Sequence, residues 1–268
     1  MALQRILYVA SEISPFLETS LVASCVRKLP EAMQGQQLDV RLIVPKFGII
    51  SDRMNRLHEV LRLSGTVVSF QDTDHVVSVK VSTIPNTRLQ VYFIDNPALF
   101  GNRKAVFQNQ EGAYFEDNDI RMVFFCASVI QTLKRLEWEP DIVHCHDWIT
   151  SLVPLLWRQE AQANALFTKA KLVSTVYNNF FSSQFPNLAT NMMQLGIPTG
   201  DAALANPGTF RSIVQLALQH SDTVICGEAL DATAFEGIFA PLFPRLIAND
   251  HQYCDAYLEL YTNLIRPQ

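Results

Sequence analysis

The sequence has no run of basic residues and little glycine. Lysine and arginine total 21 against 26 aspartates and glutamates, which gives a formal net charge of −5. Nothing in the sequence offers the basic face that nucleic acid or anionic lipid requires, so we expect neither as a partner. Glycine accounts for 10 of 268 residues, and neither GxGxxG nor GxxxxGK[ST] occurs. Any nucleotide would therefore have to be held in another way.

Paired cysteines and long apolar runs are also missing. The cysteines number five and show no CxxC spacing, which argues against a disulfide framework or a zinc knuckle. The first residues, MALQRILYVASEISPF, place one arginine before a short apolar run, which favours a first buried strand over a signal peptide. No later segment is long and apolar enough to cross a bilayer. We expect a reduced, cytoplasmic protein.

Short β-rich runs alternate with segments of helical periodicity. This alternation indicates an α/β fold in which crossover helices join parallel strands. The apolar runs between residues 65 and 95 predict further strands, some of them antiparallel. Asp117 or Asn118 can cap the helix that follows. The predicted strands are 5–11, 39–45, 141–146, 171–177 and 222–227, and the predicted helices are 21–34, 118–137 and 252–265.

One domain boundary is suggested near the end of the chain. Two prolines in APLFPRLIANDH, residues 240–251, precede the last amphipathic helix. We expect one domain over residues 1–245 and a helix within 250–268 that docks back on it. The face predicted to dock carries Tyr253, Tyr257, Leu260 and Leu264.

The stretch IVHCHDWIT, residues 142–150, ends an apolar run with two histidines and an aspartate. Strand alternation puts His144 and His146 on one face and Asp147 on the other. The carboxyl ends of parallel strands bind ligands in such folds, which favours a binding site here. Alternatively, His144 is a hydrogen-bonded core residue and Asp147 caps the next helix. A metal-dependent hydrolase would need further ligands beyond these histidines and Glu12, and we expect no metal.

Two other segments offer polar groups at predicted strand ends. The loop SEISPFLETS, residues 11–20, carries Glu12 and Glu18, which suit either general acid and base chemistry or a solvated surface. The stretch YNNF, residues 177–180, ends a strand with amides that can bind a ligand or form a turn. Residue type alone does not decide between these readings.

Seven blocks occur in a characteristic order: ILYVASEISPF, KLPEAM, DVRLIVPKF, VYFIDNPALF, EGAYFEDNDIRMVFF, PDIVHCHDW and LVSTVYN. Over about residues 3–240 this series resembles the N-terminal half of bacterial glycogen and starch synthases. These retaining glycosyltransferases have a GT-B fold of two Rossmann-like domains and transfer glucose from ADP-glucose to an α-1,4-glucan. The resemblance implies a Rossmann-like, doubly wound, mostly parallel sheet.

The same comparison shows three departures. The family's loop K-T-G-G-L, which meets the phosphates of the nucleotide sugar, is replaced by residues 18–22, in which Glu18 takes the place of the lysine. The family's HDWH ends here in Ile149, and the catalytic histidine of T-[VI]-H-N is replaced by Tyr177. The catalytic positions implied are Asp147 and Tyr177. The implied sugar-binding residues are Glu12, Glu18, Asp117, Asn118, His146, Asp147, Trp148 and Asn178.

The resemblance also sets expectations about function. Family members continue into a second, nucleotide-binding domain, which we expect this chain to lack while its last helix resembles their terminal helix. We therefore expect a catalytically degenerate domain, without a cofactor, that binds a glucan, a small sugar or a protein partner. The alternative is an active glycosyltransferase that uses another donor or a separately encoded second half. An uncovered interdomain face can also support a homodimer.

Overall fold

A single mixed sheet forms the core of the protein. The computed structural model describes residues 3–227 and 251–266, and within these ranges nine strands belong to the sheet. The strands are β1 (Arg5–Ala10), β2 (Asp39–Pro45), β3 (His58–Glu59), β4 (Thr66–Phe70), β5 (Thr73–Thr83), β6 (Gln90–Asp95), β7 (Ile142–His146), β8 (Lys171–Val176) and β9 (Thr223–Cys226).

The strand order is β3-β5-β6-β2-β1-β7-β8-β9, with β4 paired to β5. Strands β6, β2, β1, β7, β8 and β9 are parallel, whereas β5 is antiparallel to each of β3, β4 and β6. The predicted α/β, mostly parallel sheet with antiparallel strands between residues 65 and 95 is thus confirmed. The chain leaves β1 towards β2 and later returns to pair β7 with its other edge. This creates a topological switch point between β1 and β7.

Helices cover both faces of the sheet. In β7 every residue is buried, as expected for a strand enclosed between two helical layers. The face that carries His144 meets the C-terminal helix, and the face that carries Cys145 meets the helix containing Cys126. The helices are α1 (Leu21–Gly35), α2 (Asn118–Leu136), α3 (Val153–Glu160), α4 (Leu188–Gln194), α5 (Thr199–Ala203), α6 (Phe210–His220) and α7 (His251–Ile265).

The start of α2 differs from the sequence expectation. Asp117 occupies the N-cap position, but its side chain makes no capping hydrogen bond. It forms a bidentate ion pair with Arg103 instead, at 2.6 and 2.8 Å. Asn118 also turns away and donates to the carbonyl of Phe107 at 2.8 Å. The predicted cap is therefore wrong, because both side chains hold the preceding segment.

Helix α7 lies against α1 and against the sheet face of His144. Its Tyr257 and Tyr261 are buried, and Leu260 and Leu264 are half-buried. The side chain of Tyr253 and nearly all of the suggested boundary, residues 240–251, lie outside the described residues. Across residues 3–227 and 251–266, every helix is too short or too polar to span a lipid bilayer.

Candidate functional site

A pocket of about 430 Å³ opens where β1 and β7 end, beside the switch point of the sheet. The loop after β1, the turn after β7 and the loop after β8 each contribute to its wall. The segment before α2 closes the remaining side. The residues that line it include Glu12, Phe107, Tyr114, Asp147, Trp148 and Phe180.

Glu12 ties the end of β1 to the beginning of α1. The residue is 3% exposed, and its carboxylate accepts hydrogen bonds from the amide and the hydroxyl of Thr19, each at 2.7 Å. It also accepts a hydrogen bond from the hydroxyl of Ser20, the N-cap residue of α1. The loop of residues 11–20 is thus folded around a buried carboxylate that belongs to the loop itself.

Glu18, on the same loop, faces outward. Its side chain is exposed and accepts a hydrogen bond from the hydroxyl of Ser14 at 2.6 Å. It is absent from the described residues that line the pocket, whereas Thr19 and Ser20 line it. The loop therefore brings Glu12 to the pocket and directs Glu18 towards solvent.

Asp147 follows β7 in an unusual backbone conformation, with φ 75° and ψ 159°. This region is almost restricted to glycine, and a side chain there costs about 1–3 kcal/mol. The carboxylate oxygen Oδ1 accepts from the amide of Trp148 at 2.8 Å and from Nδ2 of Asn179 at 3.2 Å. Asp147 therefore caps the following turn, as one reading of the sequence predicted, while also lining the pocket.

Burial raises the pKa of Asp147 to about 6. Hydrogen-bonding groups of Ser11, Trp148 and Asn179 lower this pKa, and the nearby charge of Glu12 raises it. Burial outweighs the hydrogen bonds because a carboxylate removed from water loses most of its hydration. A carboxyl group that titrates near neutral pH can hold or release a proton at the pocket wall.

Aromatic side chains form one wall of the pocket. The Trp148 ring lies 4.8 Å from that of Phe107 and 5.1 Å from that of Phe181, between centroids. Tyr114 packs on Phe181 at 4.9 Å, and the 44% exposed Phe180 lies at the mouth. The pocket thus combines carboxylates with flat apolar surfaces.

A buried arginine holds this wall from behind. The Arg121 side chain is fully buried, and its Nη1 donates to the carbonyl of Val106 at 2.6 Å and to Oδ1 of Asn118 at 2.7 Å. Burial lowers its pKa to about 10, so the guanidinium keeps its charge at neutral pH. It is enclosed by the rings of Phe47, Phe100, Phe107 and Phe115, all within 6.0 Å.

The two histidines lie in the interior, in what we call the histidine–tyrosine cluster: Tyr8, His144, His146, Thr175, Tyr177, Tyr257 and Tyr261. The two imidazole centroids are 3.9 Å apart, and neither ring is exposed. His144 hydrogen-bonds through Nδ1 to the hydroxyl of Tyr261 at 2.6 Å and through Nε2 to that of Thr175 at 2.7 Å. His146 hydrogen-bonds through Nδ1 to the hydroxyl of Tyr177 at 2.8 Å.

Burial keeps both histidines neutral. It lowers the pKa of His146 to about 3 and that of His144 well below its usual value, with a further contribution from His146. Both nitrogens of His144 already have partners within the protein. Among residues 3–227 and 251–266, no group of three histidine, cysteine, aspartate or glutamate side chains could hold a metal ion.

The structure separates the residues singled out in the sequence. Glu12, Asp147 and Trp148 meet in the pocket, whereas His146 and Tyr177 lie behind it. Asn178 is exposed, and its neighbour Asn179 lines the pocket instead. Asp117 and Asn118 hold the wall segment without reaching the cavity. The residues missed were Phe107, Tyr114 and Phe180, although the block EGAYFEDND already placed Tyr114 among the family-like residues.

Comparison with known proteins identifies the family. Residues 5–227 match the family described as Starch synthase catalytic domain. The chain belongs to this family. A glycogen synthase of Chlorobium limicola is 33% identical over 234 residues, covering 87% of this chain and 47% of that relative. A glycogen synthase of Chlorobaculum tepidum is 38% identical over 186 residues, covering 69% of this chain and 38% of that relative.

The chain thus spans about half the length of the curated relatives that it matches. Among solved structures, it is similar to the catalytic domain of Starch Synthase IV from Arabidopsis thaliana, bound to ADP and acarbose. The TM-score is 0.68 at 22% identity, over 98% of this chain and 50% of that one. This likeness concerns the fold. Together with the family match, it confirms the predicted resemblance and the predicted fold class.

Proposed function

We propose that this chain binds an α-1,4-glucan or a short maltooligosaccharide in the pocket between β1 and β7. The observation that carries the proposal is the pairing of two buried carboxylates, Glu12 and Asp147, with an aromatic wall around about 430 Å³. Carboxylate oxygens accept hydrogen bonds from sugar hydroxyls, and aromatic faces pack against the C–H faces of a sugar ring. A few placed polar groups in a largely apolar cavity are typical of ligand sites.

We also propose that the chain by itself does not transfer glucose. Glu18 stands where the family resemblance implies a phosphate-binding lysine, and Tyr177 stands where it implies a catalytic histidine. The Tyr177 hydroxyl is hydrogen-bonded to His146 in the interior. Loss of one preorganised electrostatic group lowers a rate by about 10² to 10³, so two such losses leave little activity. The domain would then act in glucan binding or regulation.

A second candidate is a glycosyltransferase completed by a separate protein. The strained, buried Asp147 favours it, because such residues cluster where chemistry occurs. The exposed side chains of Leu21, Ile49 and Phe180 near the pocket also suit a protein contact, with a second half or a second copy. Since the cysteines are thiols, a reducing compartment such as the cytoplasm fits either candidate.

Calorimetric titration with maltotriose tests the binding proposal. Phe180→Ala removes a ring at the pocket mouth and should weaken binding about tenfold, the effect of one lost ring contact. Met193→Ala is the matched control, since Met193 is 40% exposed and lies outside the pocket lining. An equal effect of both variants, or no heat from wild-type protein, would refute the binding site.

A radiolabelled transfer assay tests whether the chain by itself transfers glucose. We expect no transfer from ADP-glucose to glycogen by purified protein, with a full-length glycogen synthase as positive control. Turnover by the unmodified chain above a heat-inactivated blank, abolished in Asp147→Ala, would establish the glycosyltransferase instead.

A further inference from the structure

The outer edge of strand β4 has unpaired backbone groups. Phe70 pairs with the first residue of β5 across a turn of two residues, and the pair that closes such a turn is hydrogen-bonded. In an antiparallel ladder these pairs alternate with pairs that are not hydrogen-bonded. Phe70 and Val68 therefore bond to β5, whereas the backbone of Val67 and Ser69 points away from it. Within residues 3–227 and 251–266, the amides and carbonyls of Val67 and Ser69 have no hydrogen-bond partner.

A groove of about 240 Å³ runs along this edge, and Val67, Val68 and Ser69 line it in succession. Successive side chains of a strand point to opposite faces, so three consecutive residues share a groove only where it follows the edge of the backbone. The groove has no described lining residue in common with the pocket between β1 and β7. Its helical side is formed by the buried Ala127, Ile130 and Leu156 and the half-buried Gln131, Gln159 and Leu195.

Polar contacts fix the hairpin of β4 and β5 against the helices. Gln71 donates from its backbone amide to Oε1 of Gln194 at 2.7 Å and from Nε2 to Oδ1 of Asn191 at 2.8 Å. Among the described residues that line the groove, only Glu160 is charged, and it is paired with Lys134 at 2.6 Å. The groove is therefore already formed and offers no free charge to a charged ligand.

We infer that the edge of β4 binds an extended, uncharged segment of another protein, which adds a strand to the sheet. The segment bonds to the outward amides and carbonyls of Val67 and Ser69, and every second side chain packs on the apolar residues of α2 and α3. A small molecule fits less well, because its sites usually enclose about 300–1,000 Å³.

A second copy of the same edge is a poorer occupant than an extended segment. Paired strands lie about 4.8 Å apart. In each copy α2 and α3 stand beside β4 along the groove, so the helices of two copies would meet before their strands could pair. A segment without flanking helices can enter the groove.

Calorimetric titration with a synthetic peptide tests the inference. The probe is a short, terminally blocked peptide of alternating valine and threonine, with one lysine at each end for solubility. The control peptide has proline at its two central positions, which removes backbone donors that a strand needs. We expect the probe to bind and the control to bind at least about tenfold more weakly. No binding of the probe, or equal binding of both peptides, would overturn the inference.

A pair of proline variants locates the binding edge. Ser69→Pro removes one outward amide from β4 and should weaken binding of the probe about tenfold, because a peptide carbonyl loses its donor. Asp74→Pro is the matched control. Asp74 lies opposite Ser69 in β5, and its amide points to the other side of the hairpin, so the affinity should stay as in wild type. Equal losses in both variants would contradict binding at β4.

A further pair of variants leaves the hairpin unchanged. Gln159→Trp fills the groove from α3 and should also weaken binding of the probe about tenfold, whereas Gln162→Trp, at an exposed position outside the lining, should not. Hydrogen exchange gives the direct measurement. The amides of Val67 and Ser69 should exchange rapidly in the free protein and slowly with the probe bound. Slowing confined to other parts of the molecule would refute the site.

Discussion

Two adjacent residues at the end of β7 belong to opposite kinds of environment. His146 lies fully buried in the histidine–tyrosine cluster and is hydrogen-bonded to Tyr177. Asp147 lies on the wall of an open pocket, in a strained backbone conformation. The stretch IVHCHDWIT thus contributes to two different environments, and the change occurs between His146 and Asp147. The His146 side chain is part of the interior, and the Asp147 side chain lines the pocket.

Burial favours the neutral form of both groups, but the consequences for stability have opposite signs. The pKa of His146 falls from about 6.5 in an unfolded chain to about 3, so its contribution is present above pH 6.5 and is lost as the pH falls towards 3. The pKa of Asp147 rises from about 3.9 to about 6, so its contribution is present below pH 4 and is lost as the pH rises through 6. Between pH 4 and 6 the two oppose each other.

The largest expected effect on stability comes from a change in the histidine–tyrosine cluster. Tyr261→Ala empties a fully buried site on α7 and removes the hydrogen bond to His144. We expect a loss of about 3–5 kcal/mol in the free energy of unfolding, as for other large aromatic residues cut back to alanine. Chemical denaturation measures this loss, and maltotriose affinity of the folded protein should not change.

Tyr261→Phe separates the ring from its hydroxyl group. It keeps the packing and leaves Nδ1 of His144 without that partner, which should cost about 1–3 kcal/mol. If both variants were as stable as wild type, α7 would not be docked through this cluster.

The next effect is on how the free energy of unfolding decreases as the pH falls below 6.5. His146→Asn keeps a polar group near Tyr177 and removes the imidazole, so the loss of stability on acidification from pH 6.5 should become shallower by up to about 1.4 kcal/mol per pH unit. Denaturation at a series of pH values measures the slope. Tyr177→Phe is the control, because it removes the hydrogen bond but retains the imidazole, and it should keep the wild-type slope.

The effect expected on the pocket side has the opposite sign. Asp147→Asn keeps the acceptor for Trp148 and Asn179 and removes the titration. It should stabilise the protein by up to about 3 kcal/mol at pH 7, with the gain disappearing below pH 4. Asp72→Asn makes the same change at an exposed aspartate that also has positive φ, 52°. It should alter stability by less than about 0.5 kcal/mol, and an equal gain in both variants would contradict the assignment.

Local pattern was sufficient to predict most of the parallel strands. Strand β1 was predicted as 5–11 and observed as Arg5–Ala10, because buried parallel strands carry continuous apolar runs that need no information from elsewhere. The turn between β4 and β5 was harder. Gln71 and Asp72 both adopt positive φ, 53° and 52°, without the glycine that usually marks such a hairpin.

The part of the pocket wall formed by Val106 and Phe107 could not be predicted from sequence patterns. Val106 and Phe107 are held through their carbonyl oxygens by Arg121 and Asn118. Every residue has a carbonyl oxygen, so such anchors leave no signature at the positions they hold. The same limit applies to Glu12 and Glu18, since only the folded loop shows which carboxylate turns inward.

The backbone conformation and burial of Asp147 have a consequence for the evolution of this sequence. Its backbone conformation would be relaxed by glycine, and its buried charge would be relieved by asparagine, so common single substitutions at this position lead to a more stable chain. Neutral drift in a marginally stable protein would be expected to accept such replacements. In a mutational library selected only for folding, position 147 should therefore lose its aspartate. In a library selected for ligand binding, position 147 should keep its aspartate.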